Sequence, residues 1–555
     1  MKILLSLLFA ISLFAQVAID FRGNRTFTKE QLYEALGLER PWWKRLFDKE
    51  PPKVDEKLLP ILHEELRAFY REQGFWDAVI ELERNESVAI FAITENEPIK
   101  VADLSITSDF PIRRLIPLKK GERFVASKFV SSKEAITQAL LEAGYCSYEF
   151  DPKAYVLHRQ KEAYLVYYLQ KNSPCSIGSV NVGGLETVDE RVVLTHIYLR
   201  PGDPFTLERV RQSYYRLHSL EYFRFVNIDY SKKIHNKILL DITLKERRHR
   251  NVYKVGLGYD TQNGIHTSFY YKHLNYHMFQ PSIHLFYSNI KKGGELSIFY
   301  PSLGWFGSLY PDSVTSVGYT QSVYDGFSER SYHIGLKLLK EYHAFSGSLK
   351  LNFERTKIYD AQDCIAERTY TLAYPELTLL WDRRDSKISP RKGFYLQDRF
   401  SLSVLSHQFV KNEARGGLYI PLGPESLLFA KALFGTITAD DMPPGKLFYA
   451  GGVTSNRAYT YRQLTALDSD CDIGGRTILE TTLEPRYRYS DRLWLALFWD
   501  RTYLSHEQMH IGPYRDGVGI GVLYDTPVGE LKLYFGLDPQ DLGQNAINLY
   551  LGATF

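Results

Sequence analysis

The residues best suited to specific chemistry are one arginine and three carboxylates downstream of it. Arg457 follows the pair Gly451-Gly452 inside a long insertion, residues 438–475. The carboxylates are Glu480, Glu484 and Asp500. They alternate with apolar residues along two strand-like segments, and a guanidinium pairs with a carboxylate through two parallel hydrogen bonds. The pattern predicts that Arg457 pairs with Glu484 or Asp500, with Glu480 as a further candidate. A solvated arginine without a fixed partner is the alternative.

A hydrolytic or metal centre is the competing chemistry, and three histidines are its candidates: His266, His273 and His277. On one extended strand, His273 and His277 would share a face about 13 Å apart, too far to share an ion. His266 would take the opposite face, and no serine or carboxylate set stands at a recognisable spacing. The favoured interpretation is that these histidines lie on the surface or, if the strands close into a barrel, in its interior. No catalytic residue, cofactor or metal site is predicted, and the chain is not expected to be an enzyme.

The elements that must position the arginine are alternating strands. In residues 545–555, Ile547, Leu549, Leu551, Ala553 and Phe555 take one face and polar residues take the other. The segments 531–538 and 493–500 repeat this pattern. A soluble sandwich also has alternating strands, but so many in succession favour a closed barrel whose apolar faces meet lipid.

Length and composition are consistent with a membrane barrel. The chain has 555 residues, 44% of them hydrophobic, with 40 tyrosines. Residues 250–555 have room for about sixteen antiparallel strands, although about fourteen or about eighteen would also fit. A net charge of +3 gives no reason to expect a nucleic-acid partner. No apolar run is long enough for a membrane-spanning helix.

The N-terminal part contains a weak repeat with a period of about 75 to 80 residues. The stretch 21–27 has a counterpart in 182–188, and Gly121-Glu122-Arg123-Phe124 resembles Gly202-Asp203-Pro204-Phe205. The amphipathic helices of the repeats are predicted at residues 58–73, 132–143 and 207–220. Each is followed by an aromatic residue and a closing strand, at 88–93, 164–169 and 238–244.

This order of strand, helices and strands resembles POTRA domains, and the whole chain resembles the outer-membrane assembly superfamily that includes BamA and TamA. The resemblance places POTRA domains at residues 16–100, 101–172 and 173–248, before a barrel at 250–555. Arg457 and Tyr459 match the superfamily's arginine-glycine-aromatic loop motif, which folds back into the barrel. This chain has Ala458 where glycine is usual and Asn456 where an aliphatic residue is usual. Three repeats favour the TamA type, whereas five would favour BamA.

The resemblance implies a function in inserting or translocating proteins at the bacterial outer membrane. Unfolded clients would bind the periplasmic repeats and leave through a lateral seam between the first and last strands. Gly256, Gly258, Gly552 and Phe555 are expected at that seam. Membrane lipid and an inner-membrane-anchored TamB-like protein are the implied partners. The alternatives are a translocator dedicated to one secreted substrate and a passive outer-membrane channel, and the identity of the client stays open.

Export agrees with this location. Residues 1–15 read as a secretory signal, in which Lys2 precedes an apolar stretch that is too short to span a membrane. Cleavage after Ala15 stays open, because Leu13 occupies a position that favours a small residue. Export permits disulfides. Given the domain arrangement, only the pairings Cys146–Cys175 and Cys364–Cys471 avoid crossing the membrane, and free thiols are the alternative.

Overall fold

The computed structural model describes residues 16–38, 51–85, 87–304, 309–403, 407–439, 441–469, 471, 473–526 and 529–551. The predicted signal segment 1–15 lies outside these residues, as do Gly552 and Phe555. None of the helices in the described ranges is long and apolar enough to cross a membrane.

Strands and helices alternate in the N-terminal part. The strands are β1 (Gln16–Arg22), β2 (Lys53–Asp55), β3 (Val79–Arg84), β4 (Val88–Thr94), β5 (Lys100–Ser108), β6 (Tyr148–Leu157), β7 (Glu162–Lys171), β8 (Ser176–Gly183), β9 (Phe223–Asp229), β10 (Lys233–Ile234) and β11 (Lys237–Glu246). The helices are α1 (Lys29–Ala35), α2 (Leu59–Glu72), α3 (Ala126–Glu142), α4 (Glu190–Thr195) and α5 (Leu207–Ser219).

These strands form three small sheets. The strand orders are β2-β1-β4-β3, then β5-β7-β6, and then β10-β11-β8 with β9 also paired to β11. The predicted fold class of three α/β repeats is confirmed. The second predicted helix began six residues too late, since α3 starts at Ala126 and uses Phe129 as a buried contact of its first turn. Sequence periodicity missed that turn because Ser131 and Ser132 interrupt the apolar pattern.

A shared turn gives the sequence repeat a physical basis. Gly23 and Gly184 both have positive φ, and a Cβ on either would lie within 2.2 Å of a carbonyl oxygen of a later strand, Ile93 or Leu244. The backbone of each turn also donates to one glutamate near the end of that later strand. Glycine is required because only a residue without Cβ can approach the strand so closely.

The C-terminal part forms a 16-stranded antiparallel sheet in which each strand pairs with the next along the chain. Its strands are β12 (Asn251–Asp260), β13 (Gly264–His273), β14 (Gln280–Tyr287), β15 (Lys291–Tyr300), β16 (Asp312–Tyr324), β17 (Phe327–Tyr342), β18 (Phe345–Tyr359), β19 (Thr369–Asp382), β20 (Gly393–Ser403), β21 (Phe409–Pro421), β22 (Ser426–Ala439), β23 (Thr477–Arg488), β24 (Leu493–Ser505), β25 (Tyr514–Thr526), β26 (Gly529–Asp538) and β27 (Asp541–Leu551). The predicted sixteen-stranded transmembrane barrel is confirmed.

The two faces of the barrel wall differ as the alternation predicts. On β24, Leu497 is 61% exposed on the outside, whereas the neighbouring Phe498 is 4% exposed on the inside. The same contrast separates Leu533 from Tyr534 on β26. A membrane barrel exposes apolar side chains to lipid on its outer face and keeps its polar side chains on the inner face.

The chain divides into two compact units, and the barrel belongs to the second together with residues 182–198 and 212–227. Within this unit, Asp312 at the start of β16 is buried and accepts from Arg216 Nη2 at 2.9 Å. His196 Nε2 lies 3.0 Å from the same carboxylate. Charged contacts therefore fix these two segments against one end of the barrel wall.

The histidines considered as a possible centre do not lie on one strand. β13 ends at His273, and His277 lies in the following turn with a φ of 48°. The single strand on which the two histidines would share a face is not formed, because the chain turns at residues 274–279. In the described parts of the chain, no group of three His, Cys, Asp or Glu side chains is placed to hold a metal ion.

Candidate functional site

The loop between β22 and β23, described at residues 441–469, 471 and 473–476, folds on itself and packs among the inward side chains of the barrel. Its two arms pair through backbone hydrogen bonds between Phe448 and Gly475, and between Ala450 and Leu464. Gly451 and Gly452 then turn the chain with φ of 106° and 94°. These turns carry the segment from Ser455 to Tyr459 to the inner wall.

Arg457 forms a two-pronged ion pair with Asp500 of β24. Its Nε donates to Asp500 Oδ2 and its Nη2 donates to Oδ1, each at 2.8 Å, while the Arg457 backbone N–H donates to Oδ2 at 3.0 Å. Thr482 Oγ1 donates to the same carboxylate at 2.9 Å. Arg457 is only 3% exposed. A buried guanidinium with this geometry is both compensated in charge and fixed in direction.

Glu484 of β23 is the second partner. It accepts from Arg457 Nη1, and its other oxygen accepts from Arg486 Nε at 2.7 Å and from Tyr534 Oη at 3.1 Å. The Arg457 guanidinium also lies over two rings, 3.8 Å from the centroid of Phe498 and 4.5 Å from that of Tyr534. Cation–π contact adds to the ion pairs where water is excluded.

The last strands hold the backbone around the arginine. Asn548 Nδ2 donates to the Arg457 carbonyl at 3.0 Å, and Gln544 Nε2 donates to the Ala458 carbonyl at 2.9 Å. Tyr459 Oη donates to Asp538. Gly536 lies directly beneath, because a Cβ there would stand 2.4 Å from the Arg457 carbonyl oxygen. The loop tip therefore contacts β24, β26 and β27 at once.

The two departures from the family motif are accommodated. Ala458 is fully buried and is not one of the described residues with a positive φ, so its methyl group imposes no backbone strain. Asn456 Nδ2 donates to the Arg515 carbonyl at 3.2 Å. The bare backbone of Gly517 leaves room for Asn456, since a Cβ there would stand 2.2 Å from its Oδ1.

The structure brings Arg457 together with Glu484 and Asp500 but not with Glu480. Glu480 accepts from the hydroxyls of Ser455 and Thr502 instead. Four residues separate it from Glu484 along β23, which is about 13 Å on an extended strand. Sequence reasoning did not single out Phe498, Tyr534, Asp538 or Asn548 as contacts of the loop. Their positions on the inward-facing half of each alternating segment were the available signal.

Two disulfides join the four cysteines. Cys146 bonds to Cys175 in the N-terminal part, with a Cα–Cα distance of 5.9 Å. Cys364 bonds to Cys471, with a Cα–Cα distance of 6.0 Å, and links the connection between β18 and β19 to the inward-folded loop. The loop is thus held by a covalent bond at its outer part and by Arg457 at its tip.

In the described part of the chain, the first and last barrel strands meet where Thr261, the residue after β12, contacts Leu549 of β27. Thr261 N–H donates to the Leu549 carbonyl at 3.2 Å, and Leu549 N–H donates to Thr261 Oγ1 at 3.0 Å. Among the described residues no ladder of paired positions links β12 to β27. Gly256 and Gly258 lie on β12, where the side chains of Ser268 and His266 on β13 fill the space beside them.

The sequence pattern of the Omp85 superfamily domain matches residues 256–555, more than half of the chain. The chain belongs to the Omp85 superfamily. A second pattern, described as a surface antigen variable number repeat of the POTRA class, matches residues 176–247. In this Omp85 chain the matched region contains the Arg457 loop and all of its carboxylate partners. The barrel lies in the outer membrane and the POTRA domains lie in the periplasm.

Relatives and solved structures agree with this family. The chain is 22% identical over 526 residues to the outer membrane protein assembly factor BamA of Nitratidesulfovibrio vulgaris, which covers 86% of this chain and 65% of the relative. It is 22% identical over 241 residues to BamA of Neorickettsia risticii, covering 41% of this chain and 32% of that protein. The chain therefore spans less than two thirds of the length of these relatives.

A crystal structure of BamA from Haemophilus ducreyi lacking POTRA domains 1–3 matches this Omp85 fold with a TM-score of 0.53. The match covers 82% of this chain and 100% of that one at 13% identity. At that identity the likeness concerns the fold alone.

Proposed function

We propose that this Omp85 chain inserts or translocates proteins at the outer membrane and has no enzymatic activity. The observation that carries the proposal is the Arg457 loop, which is fastened to β27 beside the place where Leu549 of β27 meets Thr261 after β12. Asn548 and Gln544, which hold the loop tip, both belong to β27.

The proposed clients are unfolded outer-membrane or secreted proteins. β3 and β6 lie at the edges of their sheets, and each exposes apolar side chains, among them Val79, Leu82 and Tyr155. An edge strand can add an extended client strand by backbone hydrogen bonds, which do not depend on the client's sequence. We propose that clients add to these edges before they reach the barrel.

The proposed exit is the seam between β12 and β27. Breaking the contacts between Thr261 and Leu549 would expose two strand edges on which a client strand could pair. The Arg457 loop would keep the inner side of β27 in place while the seam opens. The seam predicted from the sequence also included Gly552 and Phe555, which lie outside the described residues.

A narrower proposal is the TamA type, with a TamB-like partner anchored in the inner membrane. POTRA sheets followed by a barrel support the TamA type, but they support other types within the family equally. Co-purification of an inner-membrane-anchored protein with the full-length chain would favour the TamA type. Recovery without such a protein under mild detergent extraction would count against it.

One experiment distinguishes the proposed general assembly factor from the two alternatives, a dedicated translocator and a passive channel. In cells, residues 16–100 are deleted and surface-exposed outer-membrane proteins are quantified by surface labelling and mass spectrometry. A general assembly factor predicts that several barrel proteins decline. The decline of a single protein would favour a dedicated translocator. No decline, together with high ion conductance of the intact purified protein, would favour a passive channel. The amount of the variant in the outer membrane must equal that of the unaltered protein.

A further inference from the structure

Four cations on the outer wall of the barrel form one cluster at its extracellular end: Lys292, Arg330, Arg355 and Lys357. The orientation follows from the chain path. β12 starts at Asn251, directly after the third periplasmic repeat, so its first residue is at the periplasmic end and Asp260 is at the outside. Following the antiparallel meander, β15 and β17 start outside, and β16 and β18 end outside.

The outer face beneath the cluster has the layering of a membrane interface. Leu296, Val317, Ile334 and Phe353 stand in register across β15 to β18 and point outward. One rung closer to the outside, Tyr319 stands opposite Tyr332 with ring centroids 5.0 Å apart. An apolar band bordered by aromatic rings marks where hydrocarbon gives way to lipid headgroups.

Three of the four cations occupy the next positions outward. Lys292 stands opposite Gln321, Gln321 opposite Arg330, and Arg330 opposite Lys357. Arg355 precedes Lys357 by two residues on the same face of β18 and stands opposite Tyr332. Residues directly opposite on neighbouring strands have Cβ atoms about 5 Å apart, so Arg330, Arg355 and Lys357 lie close together, and Lys292 lies two strands away from Arg330.

No carboxylate among the described residues neutralises this cluster. None of the four side chains forms an ion pair with a carboxylate in the described part of the chain, and their cross-strand neighbours on the outer face are neutral or cationic. Arg330 lies over the ring of Tyr359 at 5.4 Å. Like charges placed directly opposite each other, as in Arg330 and Lys357, are unfavourable without an external anion.

The barrel neutralises a comparable cation elsewhere. Arg501 also faces outward near the extracellular end, on β24, but Asp516 accepts from its Nε at 2.8 Å and from its Nη2 at 2.9 Å. Aromatic rings flank it as well, with Tyr514 4.3 Å away. Arg501 and the cluster on β15 to β18 thus share their position near the extracellular end and their aromatic neighbours. They differ because Arg501 has a carboxylate partner and the described cations of the cluster have none.

The wall also offers space for a headgroup. A cavity of about 520 Å³ opens on the outer face and is lined by Arg330, Tyr332, Ile334, Phe353, Arg355 and Lys357. Its cationic side lies toward the outside and its apolar side toward the membrane centre. A ligand that fits must carry anionic groups next to acyl chains.

We propose that Lys292, Arg330, Arg355 and Lys357 bind the phosphate groups of a phosphorylated glycolipid in the outer leaflet. The planar guanidinium groups of Arg330 and Arg355 match phosphate oxygens, and the lysines add charge. Ile334 and Phe353 contact the acyl chains. Lipid is favoured over free phosphate because the apolar half of the cavity would stay unfilled by a free ion. This site is independent of the proposed transport function.

The test titrates the full-length protein in detergent micelles with diphosphoryl lipid A and counts bound lipid by native mass spectrometry. The variant Arg330→Gln/Arg355→Gln/Lys357→Gln is expected to bind at least about tenfold more weakly, because each cation contributes separately to headgroup attraction. The matched control Arg501→Gln is expected to bind like the unaltered protein. The single variants Arg355→Gln and Lys357→Gln should show intermediate losses, which keeps the test valid if the triple variant fails to fold.

Three results would overturn the proposal. One is equal binding by the folded triple variant. Another is equal binding of lipid A from which both phosphates have been removed. The third is complete displacement of lipid A by millimolar inorganic phosphate, which would identify a site for the free ion.

Discussion

Both guanidinium nitrogens that face Asp500 donate to it at 2.8 Å, so Arg457 and Asp500 form a parallel two-bond pair inside the barrel. The pair connects the tip of a surface loop to β24, and Glu484 on the adjacent β23 completes the charge balance. Removing one partner of a buried pair leaves the other charge uncompensated, which is the main cost of such a change.

The first prediction concerns this pair. Arg457→Ala and Asp500→Ala should each lower the free energy of unfolding by about 3–5 kcal/mol. The double variant should lose little more than either single variant, because both remove the same interaction. Denaturant unfolding of the purified protein in detergent, followed by the shift in gel migration between folded and unfolded barrel, measures the losses. Losses that add up fully would contradict the pairing.

The second prediction concerns the glycine beneath the loop. Gly536→Ala should destabilise the barrel by about 1–3 kcal/mol and make the loop easier to cleave, since the new methyl group would collide with the Arg457 carbonyl. Limited proteolysis of intact cells reports loop exposure. Gly347→Ala is the matched control, because the nearest atom to a Cβ there is 3.6 Å away. Equal sensitivity of the two variants would show that the close approach does not matter.

The third prediction concerns the covalent tether of the loop. Replacing Cys364 and Cys471 by alanine should cost about 2–4 kcal/mol of barrel stability, because the unfolded chain loses its constraint. The loop tip should stay protected from protease, since Arg457 holds it independently. The pair Cys146→Ala/Cys175→Ala is the control and should leave barrel unfolding unchanged. Protease cleavage near Arg457 after loss of the outer disulfide would show that the ion pair does not hold the loop by itself.

The fourth prediction is a pH dependence in the third repeat. Burial raises the pKa of Glu246, but hydrogen bonds from the Thr187 hydroxyl and from the backbone N–H groups of Glu186, Thr187 and Val188 outweigh it and lower the pKa overall. The ionised carboxylate therefore stabilises the turn at pH values above its ordinary pKa of about 4.3, and this stability is lost as the pH falls through the lowered pKa.

Hydrogen exchange of the turn at residues 184–188 in the full-length protein tests this dependence. Protection should fall between pH 7 and about pH 3 in the unaltered protein. Glu246→Gln should be less protected at pH 7 and show a smaller change with pH. The exposed Glu97 provides the control, and Glu97→Gln should behave like the unaltered protein. A pH response in Glu246→Gln equal to that of the unaltered protein would assign it to other groups.

Much of the fold could be predicted because strands of a membrane barrel must alternate. Leu497 and Phe498 follow each other in sequence, and the alternation places one on the outer face of the barrel and the other on the inner face, as the structure does. The start of α3 could not be predicted from the spacing of apolar residues, because two serines interrupt the apolar face of the helix. The turn after His273 gives no such signal, because residues 274–279 contain neither glycine nor proline.

The site was harder to predict than the fold because its contacts depend on register. Glu480, Glu484 and Asp500 share one face in sequence, but the depth at which the loop enters selects only two of them for Arg457. Two glycines allow this depth: Gly536 leaves room for the Arg457 carbonyl, and Gly517 leaves room for the Asn456 side chain. Tyr459 reaching Asp538 follows from the same placement. A single sequence does not show how far the loop reaches into the barrel, and therefore which carboxylates of β23 and β24 it contacts.

The central claim is that clients leave through the seam between β12 and β27, and a reversible cross-link there tests it most directly. Thr261→Cys/Leu549→Cys is joined by a cleavable thiol reagent in the purified full-length protein, which is then reconstituted into liposomes with an unfolded outer-membrane protein. Each single-cysteine variant treated identically is the control. Insertion should stop in the cross-linked protein and return after the link is cleaved. Undiminished insertion while the two strands stay linked would contradict the account.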